Sequence, residues 1–279
     1  MHVLITGCSS GIGRAAVEAF ARAGHQVSAT ARNLVAIEDL RSGNVQVLRL
    51  DLTDRDSMPA AVEAARRWAP LDVLVNNAGY GQAGPLTELS QEEWLEQFQT
   101  NVFGLMELTR LVTNGPGGMI ERRGGRIIMI TSVVAHVATP FSGAYCATKF
   151  ALRAISDVLR LELAPFGIQV VQVEPGPIRT RFADNSLARA ARLLSRRDTP
   201  YEFLRSAIEG RARRSQVGAA PASSVADAIL RAAVARRPAT RYPVTWQTRA
   251  LKLVRSLFPE RALDLILARV FGLPTKPRP

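Results

Sequence analysis

The sequence predicts an α/β protein built on one doubly wound parallel sheet with helices on both faces. Three observations predict it. Short β-rich runs alternate with helical patterns, the runs are almost wholly apolar, as strands covered on both faces are, and a glycine-rich turn joins the first run to the first helix. With 279 residues, 47% of them apolar, the chain can bury the core that such a sheet needs.

Seven runs are predicted to be strands. They span residues 3–6, 26–30, 45–50, 73–75, 126–131, 168–173 and 241–245. Helices are predicted over residues 11–23, 54–68, 91–113 and 143–164. The third helix should begin with a capping box, because the spacing of Ser90 and Glu93 lets each side chain satisfy a free backbone amide of the other.

Basic helical segments follow Thr180. They span residues 187–194, 202–213 and 225–235, ahead of the last strand. We interpret residues 182–217 as a helical insertion within a single domain over residues 1–246. A C-terminal extension, residues 247–279, adds two amphipathic helices separated by Pro259.

The net charge of +12 is concentrated after Thr180. Residues 1–180 carry 16 Lys and Arg against 17 Asp and Glu, whereas residues 181–279 carry 20 against 7. We interpret the basic extension as helices packed on the domain edge or in a subunit contact, with weak contact to a membrane surface as the alternative. No nucleic-acid partner is expected, because charge alone favours it and no recognition motif accompanies the charge.

The sequence shows no signal segment and no apolar run long enough to span a bilayer. Its two cysteines, Cys8 and Cys146, form no CxxC pair and no metal-ligand spacing. These features predict a cytoplasmic protein with no bound metal, and peripheral membrane association is the alternative location.

A glycine-rich loop directly follows the first predicted strand. Its glycines permit a tight turn and let backbone amides approach a pyrophosphate at the N-terminus of the next helix. Such a loop is weak by itself, but the strand before it and the helix after it supply the context that a dinucleotide site requires. The residues predicted to hold the cofactor here are Gly7, Ser9, Ser10, Gly11, Ile12 and Gly13.

Arg32 follows the second strand, where an NAD-specific site usually presents an acidic residue to the ribose 2′-hydroxyl. No carboxylate is present to repel a 2′-phosphate, and Arg32, helped by the Ser9 hydroxyl, is placed to pair with one. NADP(H) is therefore the predicted cofactor, preferred over NAD(H). After the third and fourth strands, the residues expected to border the cofactor are Asp51, Leu52, Asn77, Ala78 and Gly79.

Tyr145 and Lys149 are four residues apart on a predicted helix, so their side chains emerge on one face. A tyrosine with its ordinary pKa near 10 is a poor base at neutral pH. A neighbouring cation stabilises the phenolate and lowers that pKa toward the working range. The pair is therefore the candidate acid/base centre, although the same spacing is also common in solvated surface pairs.

Ser132 ends the fifth strand, and Asn101 lies late in the preceding helix. With these positions the sequence resembles the classical short-chain dehydrogenase/reductase family, from residue 3 to about residue 180. The motifs that carry the resemblance are residues 6–13 (TGCSSGIG), residues 76–79 (NNAG), Asn101, Ser132, residues 145–149 (YCATK) and residues 175–180 (PGPIRT). Within the family, the glycine-rich loop, Arg32 and residues 140–152 look most like the 17β-hydroxysteroid and retinol dehydrogenase branch.

The resemblance implies a Rossmann fold and a role for each residue. Tyr145 would exchange a proton with the carbonyl or alcohol oxygen, while Lys149 lowers the Tyr145 pKa and holds the nicotinamide ribose. Ser132 would hydrogen-bond the reacting oxygen, and Asn101 would position a water that links Lys149 to solvent. Further cofactor contacts would come from Pro175, Gly176, Ile178 and Thr180. No metal is needed.

The end of the third helix departs from the family pattern. Gly115-Pro116-Gly117-Gly118 must break the helix, whereas relatives usually have a shorter and more regular end. The break lies beyond Asn101, so it should alter an oligomer surface more than catalysis. We expect a homo-oligomer, either a dimer or a tetramer.

The predicted substrate is a small hydrophobic alcohol or carbonyl compound, because the expected pocket wall is apolar. Its residues are Val133, Val134, Val137, Ala138, Phe141, Leu187, Leu193, Leu194 and Phe203. Steroid, retinoid, fatty and aromatic carbonyls stay open, since a mobile insertion sets the choice. His136, a lone histidine in this loop, is not included among the catalytic residues.

Two other functions are alternatives. A 3-oxoacyl-thioester reductase could use the basic last third to dock an acidic acyl carrier. A cofactor-sensing or membrane-associated binding protein could use the same fold without catalysis. Such a protein has no need to keep Asn101, Ser132, Tyr145 and Lys149 together.

Overall fold

The computed structural model describes residues 1–195, 198–202, 205, 210 and 218–274. Its strands are β1 (His2–Ile5), β2 (Gln26–Ala31), β3 (Val45–Arg49), β4 (Val73–Asn76), β5 (Gly125–Ile130), β6 (Ile168–Glu174), β7 (Ile178–Arg179), β8 (Ala220–Pro221) and β9 (Arg241–Pro243). Seven of them form one parallel sheet in the order β3-β2-β1-β4-β5-β6-β9. The predicted doubly wound sheet is confirmed, and the strand order reverses between β1 and β4.

Helices cover both faces of the sheet. They are α1 (Gly11–Arg22), α2 (Ser57–Trp68), α3 (Gln91–Phe98), α4 (Gly104–Thr113), α5 (Gly143–Leu163), α6 (Phe182–Arg189), α7 (Ala191–Ser195), α8 (Ala222–Val234), α9 (Trp246–Leu257) and α10 (Glu260–Phe271). Helices α1 and α8 pack on one face of the sheet, with Phe20 and Ile229 in its core. Helices α2, α4 and α5 pack on the other, with Val62, Leu108 and Leu152.

The register of the strands brings their carboxyl ends to one edge of the sheet. Ile130 at the end of β5 lies opposite Val173 of β6, and Asn76 at the end of β4 lies opposite Met129 of β5. In a doubly wound sheet, ligands bind at this edge, near the reversal of strand order. The loops that follow β1, β4, β5 and β6 therefore meet where a cofactor and a substrate would bind.

The helix predicted over residues 91–113 differs from the structure in its middle. Helix α3 begins with the predicted capping box, in which Glu93 N donates to Ser90 Oγ over 3.3 Å and Ser90 N donates to Glu93 Oε2 over 2.8 Å. It ends at Phe98, and a π-helical turn over Gln99–Phe103 precedes α4. A π turn contains one more residue per hydrogen-bonded loop than an α-helix, and apolar periodicity does not reveal it.

The predicted helix break after α4 is confirmed. The helix ends at Thr113, and both Gly115 and Gly117 adopt positive φ angles, +72° and +69°. Arg66 of α2 donates from Nη2 to the carbonyl oxygens of Leu111 and Val112, over 2.9 and 3.2 Å. The guanidinium thus binds the Leu111 carbonyl at the helix end and shares the Val112 carbonyl with Met119 N, which donates to it over 3.2 Å.

The insertion contains α6 and α7, and its base is closed by a short parallel ladder of β7 and β8. The ladder was not predicted, because two-residue strands carry no periodicity. Most of the helix expected over residues 202–213, with Phe203, lies outside the described residues. The extension forms α9 and α10, separated at Pro259. Across the described part of the chain, no helix has the length and apolar character needed to cross a membrane.

Candidate active site

The glycine-rich loop between β1 and α1 is shaped by contacts that exclude side chains. Gly7 and Gly11 have positive φ angles of +74° and +59°. A Cβ at Gly13 would lie 2.3 Å from the carbonyl oxygen of Gly7, and one at Gly11 would lie 3.0 Å from Thr180 Cγ2. The loop is therefore folded back on itself and packed against the segment after β6. Such a compact loop lets its backbone approach a phosphate group closely.

The start of α1 fits a bound anion. Ser10 occupies the N-cap in an extended conformation, and its side chain makes no capping hydrogen bond. The first amides of a helix have no partner within the helix, and an anion at this end is favoured by the helix dipole. Ser9, Ser10, Gly11, Ile12 and Gly13 can thus hold the pyrophosphate of a dinucleotide.

The turn after β4 braces the glycine-rich loop. Thr6 Oγ1 accepts hydrogen bonds from the amides of Asn77 and Ala78, over 3.0 and 2.9 Å. The Asn77 side chain returns the contact, because its Nδ2 donates to the carbonyl oxygens of Thr6 and Gly7 over 2.7 and 3.3 Å. Asn77 therefore stabilises the glycine-rich loop through hydrogen bonds. Its partner in these bonds, Thr6, was not among the predicted site residues.

The residues predicted to border the adenosine part lie on neighbouring strand ends. Arg32 follows β2 directly and its side chain is exposed. Asp51 Oδ1 accepts from the amide and hydroxyl of Thr53, over 3.0 and 2.8 Å, so this carboxylate shapes its own turn. Leu52 is buried, and a Cβ at Gly104 would lie 2.3 Å from its carbonyl oxygen. The edge here presents a guanidinium and an apolar side chain.

Tyr145 and Lys149 emerge on one face of α5, as their spacing predicts. Lys149 Nζ lies 5.7 Å from the centroid of the Tyr145 ring and donates to the carbonyl oxygen of Ile130 over 2.7 Å. The Lys149 side chain is buried, and burial lowers the pKa of its ammonium to about 8. A cation held here without solvent favours the phenolate form of the neighbouring tyrosine.

Asn101 lies in the π-helical turn and ties two parts of the site together. Its Nδ2 donates to Tyr80 O over 2.9 Å and to Thr148 Oγ1 over 3.1 Å, and its Oδ1 accepts from Tyr80 N over 3.1 Å. Thr148 Oγ1 in turn donates to Tyr145 O over 2.7 Å. The extra residue of the π turn thus aims the Asn101 side chain at α5 and at the loop after β4, next to Gly79.

Ser132 follows β5, where the chain turns beside the end of β6. Its Oγ accepts from Val134 N over 3.3 Å and donates to Pro175 O over 3.5 Å, while Val133 N donates to the same carbonyl over 2.8 Å. A Cβ at Gly176 would lie 2.1 Å from Thr245 Oγ1. Ser132, Pro175 and Gly176 are therefore adjacent, and Ile178 is fixed by the ladder between β7 and β8.

Three contacts from Arg181 and the start of the insertion were not predicted from the sequence. The Phe182 ring lies 5.1 Å from the Tyr145 ring, centroid to centroid. Arg181 Nη2 donates to the carbonyl oxygen of Ser9 over 3.4 Å, and the Arg189 guanidinium stacks 3.7 Å above the Tyr80 ring. Helix α6 therefore covers the site. In the sequence, Arg181, Phe182 and Arg189 are marked solely by their position after the motif that ends at Thr180.

The apolar loop between Ser132 and Tyr145 forms part of the expected wall. Phe141 is buried and packs with Leu194, Tyr201 and Leu273. Val137 and Leu193 are buried too, whereas Ala138 is exposed. The half-buried wall residues are Val133, Val134, Leu187 and Leu194. Leu273 brings the end of the C-terminal extension to this wall, a contact that links the extension to the substrate side of the molecule.

Comparison with known proteins gives the family. The family model for short chain dehydrogenases matches residues 1–191, more than half of the chain. The chain therefore belongs to the short-chain dehydrogenase family, and it is an NAD(P)-dependent oxidoreductase.

Several relatives match nearly the whole chain. The uncharacterized oxidoreductase YbbO of Escherichia coli (strain K12) is 38% identical over 268 residues, with 95% of this chain and 93% of that protein covered. The NADPH-dependent 3-dehydrocapnine reductase of Ornithobacterium rhinotracheale is 32% identical over 272 residues, with 95% of each chain covered. Retinol dehydrogenase 5 of Mus musculus is 32% identical over 294 residues, with 98% and 90% covered. The resemblance to the retinol dehydrogenase branch is thus confirmed.

Solved structures share the fold over the full length. A short-chain dehydrogenase from Streptomyces avermitilis is 29% identical, with a TM-score of 0.78 and coverage of 99% of this chain and 98% of that chain. A short-chain dehydrogenase/reductase from Burkholderia phymatum, in complex with NAD, is 26% identical, with a TM-score of 0.77 and coverage of 100% and 97%. The predicted Rossmann fold is confirmed, and the family uses both forms of the cofactor.

We predict that Lys149→Met makes the protein more stable at pH 7. The Lys149 pKa is about 8 in the folded protein, against about 10.4 in an unfolded chain, so the buried ammonium destabilises the folded state below pH 8. Wild-type stability should rise as the pH increases from 8 to about 10.4, because the unfolded chain binds more protons in this window. After loss of the Ile130 hydrogen bond, the variant should gain on the order of 1–2 kcal/mol at pH 7.

Urea unfolding of the wild type and variant at pH 7 and pH 9.5 measures this effect. The difference should shrink at the higher pH. Arg67→Met is the control, since Arg67 is exposed on α2 and pairs only with Glu63 among the described residues. A Lys149→Met protein that is less stable at both pH values would show that the ammonium is not held at a desolvation cost.

Proposed function

We propose that this chain is an NADP(H)-preferring oxidoreductase that interconverts a hydrophobic primary or secondary alcohol and its aldehyde or ketone. One observation carries the proposal. The buried ammonium of Lys149 lies beside Tyr145, at the sheet edge that also holds Ser132 and Asn101. A tyrosine with a desolvated cation beside it can act as acid and base near neutral pH.

Each residue has a role in the proposed reaction. When bound, the nicotinamide supplies or accepts the hydride. Tyr145 Oη donates a proton to the carbonyl oxygen during reduction and takes a proton back during oxidation, while the Lys149 ammonium stabilises the phenolate. Ser132 Oγ donates a hydrogen bond to the same oxygen. Asn101 fixes α5 through Thr148, and the water expected between Asn101 and Lys149 stays a prediction.

The substrate class rests on the apolar surroundings of Tyr145. Phe182 packs against its ring, and Val137 and Phe141 are buried in the loop that leads to it. Apolar walls with few polar groups select hydrophobic ligands through area removed from water. The names of two relatives, a retinol dehydrogenase and a 3-dehydrocapnine reductase, are consistent with an alcohol or carbonyl substrate.

An NADPH-consumption screen tests the substrate class. The panel should contain a steroid ketone, retinal, an acetoacetyl thioester, an aromatic ketone and a small polar ketone. We expect kcat/KM to rise with apolar size and to be lowest for the polar ketone. Preference for the thioester, increased further when it is carried on an acidic acyl carrier, would instead support the 3-oxoacyl-thioester reductase.

The NADP(H) preference rests on Arg32. Its exposed guanidinium stands at the end of β2, and the sequence places no carboxylate between Val27 and Arg32. The NADPH dependence in the name of one relative supports the same preference. A charge-assisted contact with the 2′-phosphate is available only to NADP(H).

We predict that Arg32→Ala weakens NADPH binding by roughly tenfold and leaves NADH binding within about twofold, since one charge-assisted contact is lost. Titration of protein fluorescence with each cofactor measures both constants. Arg41→Ala is the matched control, because Arg41 is also exposed after β2 but pairs with Glu38. An unchanged preference in Arg32→Ala would remove Arg32 from the cofactor site.

We also propose that the C-terminal extension contacts an anionic membrane surface. Trp246, Leu253 and Leu257 are spaced seven and four residues apart on α9 and are 73%, 60% and 67% exposed. The opposite face of α9 is fixed to the domain, because Thr248 is buried and Lys252 pairs with Glu174. Exposed Arg249 borders this apolar stripe. The extension also lies in the part of the chain that carries the excess positive charge, so anionic lipid headgroups would attract it.

Flotation with liposomes tests this contact. Wild-type protein should float with vesicles of phosphatidylcholine and phosphatidylglycerol at low salt and stay behind with pure phosphatidylcholine. The triple variant Trp246→Ser/Leu253→Ser/Leu257→Ser should lose flotation, whereas Val35→Ser, at an exposed apolar side chain far along the chain, should keep it. If the wild-type protein does not float and the triple variant changes the oligomeric state, the stripe belongs to a contact between subunits.

A further inference from the structure

A buried carboxylate with two nitrogen partners, an imidazole and an ammonium, lies next to the candidate active site. Glu174 ends β6, and its side chain is fully buried. His136 Nε2 lies 2.9 Å from Glu174 Oε1, and Lys252 Nζ lies 3.2 Å from Glu174 Oε2. These partners hold the pKa of Glu174 below its ordinary value although burial alone would raise it.

The three residues belong to three different parts of the chain. His136 follows the short turn that begins at Ser132, Glu174 immediately precedes Pro175, and Lys252 lies on α9 of the extension. A buried charge that loses one partner is costly, because the remaining partners cannot replace the hydration it lost on folding. The contacts therefore hold the three segments at a fixed separation.

The segment that bears Ser132 is attached to the end of β6 at two points. Val133 N donates to Pro175 O over 2.8 Å at one end of the turn, and His136 binds Glu174 at the other. The Ser132 side chain itself makes only longer contacts, of 3.3 and 3.5 Å. The orientation of its hydroxyl thus depends on the turn as a whole more than on its own hydrogen bonds.

The extension reaches the same point from the other side. Lys252 binds the Glu174 carboxylate, and Thr248 Oγ1 donates to the Glu174 carbonyl oxygen over 3.4 Å. Helix α9 therefore holds both the side chain and the main chain of the residue that anchors the Ser132 turn. Lys252 is thus connected to Ser132 through the Glu174 carboxylate and through His136, which ends the turn that begins at Ser132.

We propose that His136 and Lys252 are positioning residues that act through Glu174 to hold the Ser132 hydroxyl against the reacting oxygen. In this proposal the extension supports the active site from outside, and none of its residues touches the substrate. The inference rests on the proposed function, since it takes Ser132 as the group that binds this oxygen. A misplacement of about 1 Å can cost roughly 100-fold in rate, which is enough for a distant contact to matter.

A double-mutant cycle between Lys252 and Ser132 tests the proposal. Lys252→Met should lower the single-turnover rate of NADPH oxidation roughly 10- to 100-fold, with the NADPH Kd within about twofold of wild type. In the Ser132→Ala background, Lys252→Met should cause little further loss, because the hydroxyl that it positions is gone. Lys252→Arg should retain most of the wild-type rate, because the cation is kept. Arg255→Met is the control and should have no effect, since Arg255 lies on the same helix but pairs with Glu260.

Hydrogen exchange of the cofactor-free protein gives a second readout. Lys252→Met should speed exchange of two amides, that of Val133, which donates to Pro175 O, and that of Val134, which donates to Ser132 Oγ. Exchange in α1 should not change. If Lys252→Met does not fold, His136→Leu provides the same cycle from the other partner of Glu174.

Three outcomes overturn the proposal in distinguishable ways. Equal losses in the wild-type and Ser132→Ala backgrounds would show that Lys252 does not act through Ser132. Wild-type activity in Lys252→Met and His136→Leu would show that neither partner is needed for positioning. A Ser132→Ala enzyme with the wild-type rate would remove the role of Ser132 from the proposed function, and the inference with it.

Discussion

The ammonium of Lys149 is removed from water at the carboxyl edge of the sheet, and one hydrogen bond offsets part of the desolvation cost. Ile130, the last residue of β5, accepts its hydrogen bond, and Tyr145 lies one turn earlier on the same helix. The parallel register of β5 and β6 brings the Ser132 turn and the segment from Pro175 onward to this same edge. In the proposed reaction, burial of this one cation sets the place of proton exchange, and it lowers the stability of the folded protein.

The sequence predicted those parts of the molecule that carry a local pattern. Apolar runs predicted the strands of the main sheet, and the spacing of Tyr145 and Lys149 predicted their common face. The π turn around Asn101 was missed, because an extra residue in one turn hardly changes the helical pattern around it. Phe182 and the Tyr80–Arg189 stack were missed because each joins elements far apart in the chain, and only the tertiary fold makes them neighbours. His136 was set aside as a lone histidine, since its partner Glu174 is 38 residues away.

The C-terminal extension now has two faces with different tasks in our account. Its inner face, through Thr248 and Lys252, is bonded to the residue that precedes Pro175. Its outer face carries exposed apolar side chains in the basic third of the chain. Through Leu273, its end also packs against Phe141. The two proposals are compatible, because they use different residues on opposite faces of α9. The homo-oligomer expected from the sequence stays a prediction.

Tyr145→Phe separates proton transfer from cofactor binding, because it removes one oxygen atom and keeps the ring that packs against Phe182. The measurement is the single-turnover rate of NADPH oxidation with a saturating carbonyl substrate, together with the NADPH Kd of the same protein. We expect a Kd within about twofold of wild type and a rate at least roughly 100-fold lower, since general acid catalysis is lost while the glycine-rich loop is intact. A Tyr145→Phe protein that oxidises NADPH at the wild-type rate would contradict the proposed role of Tyr145.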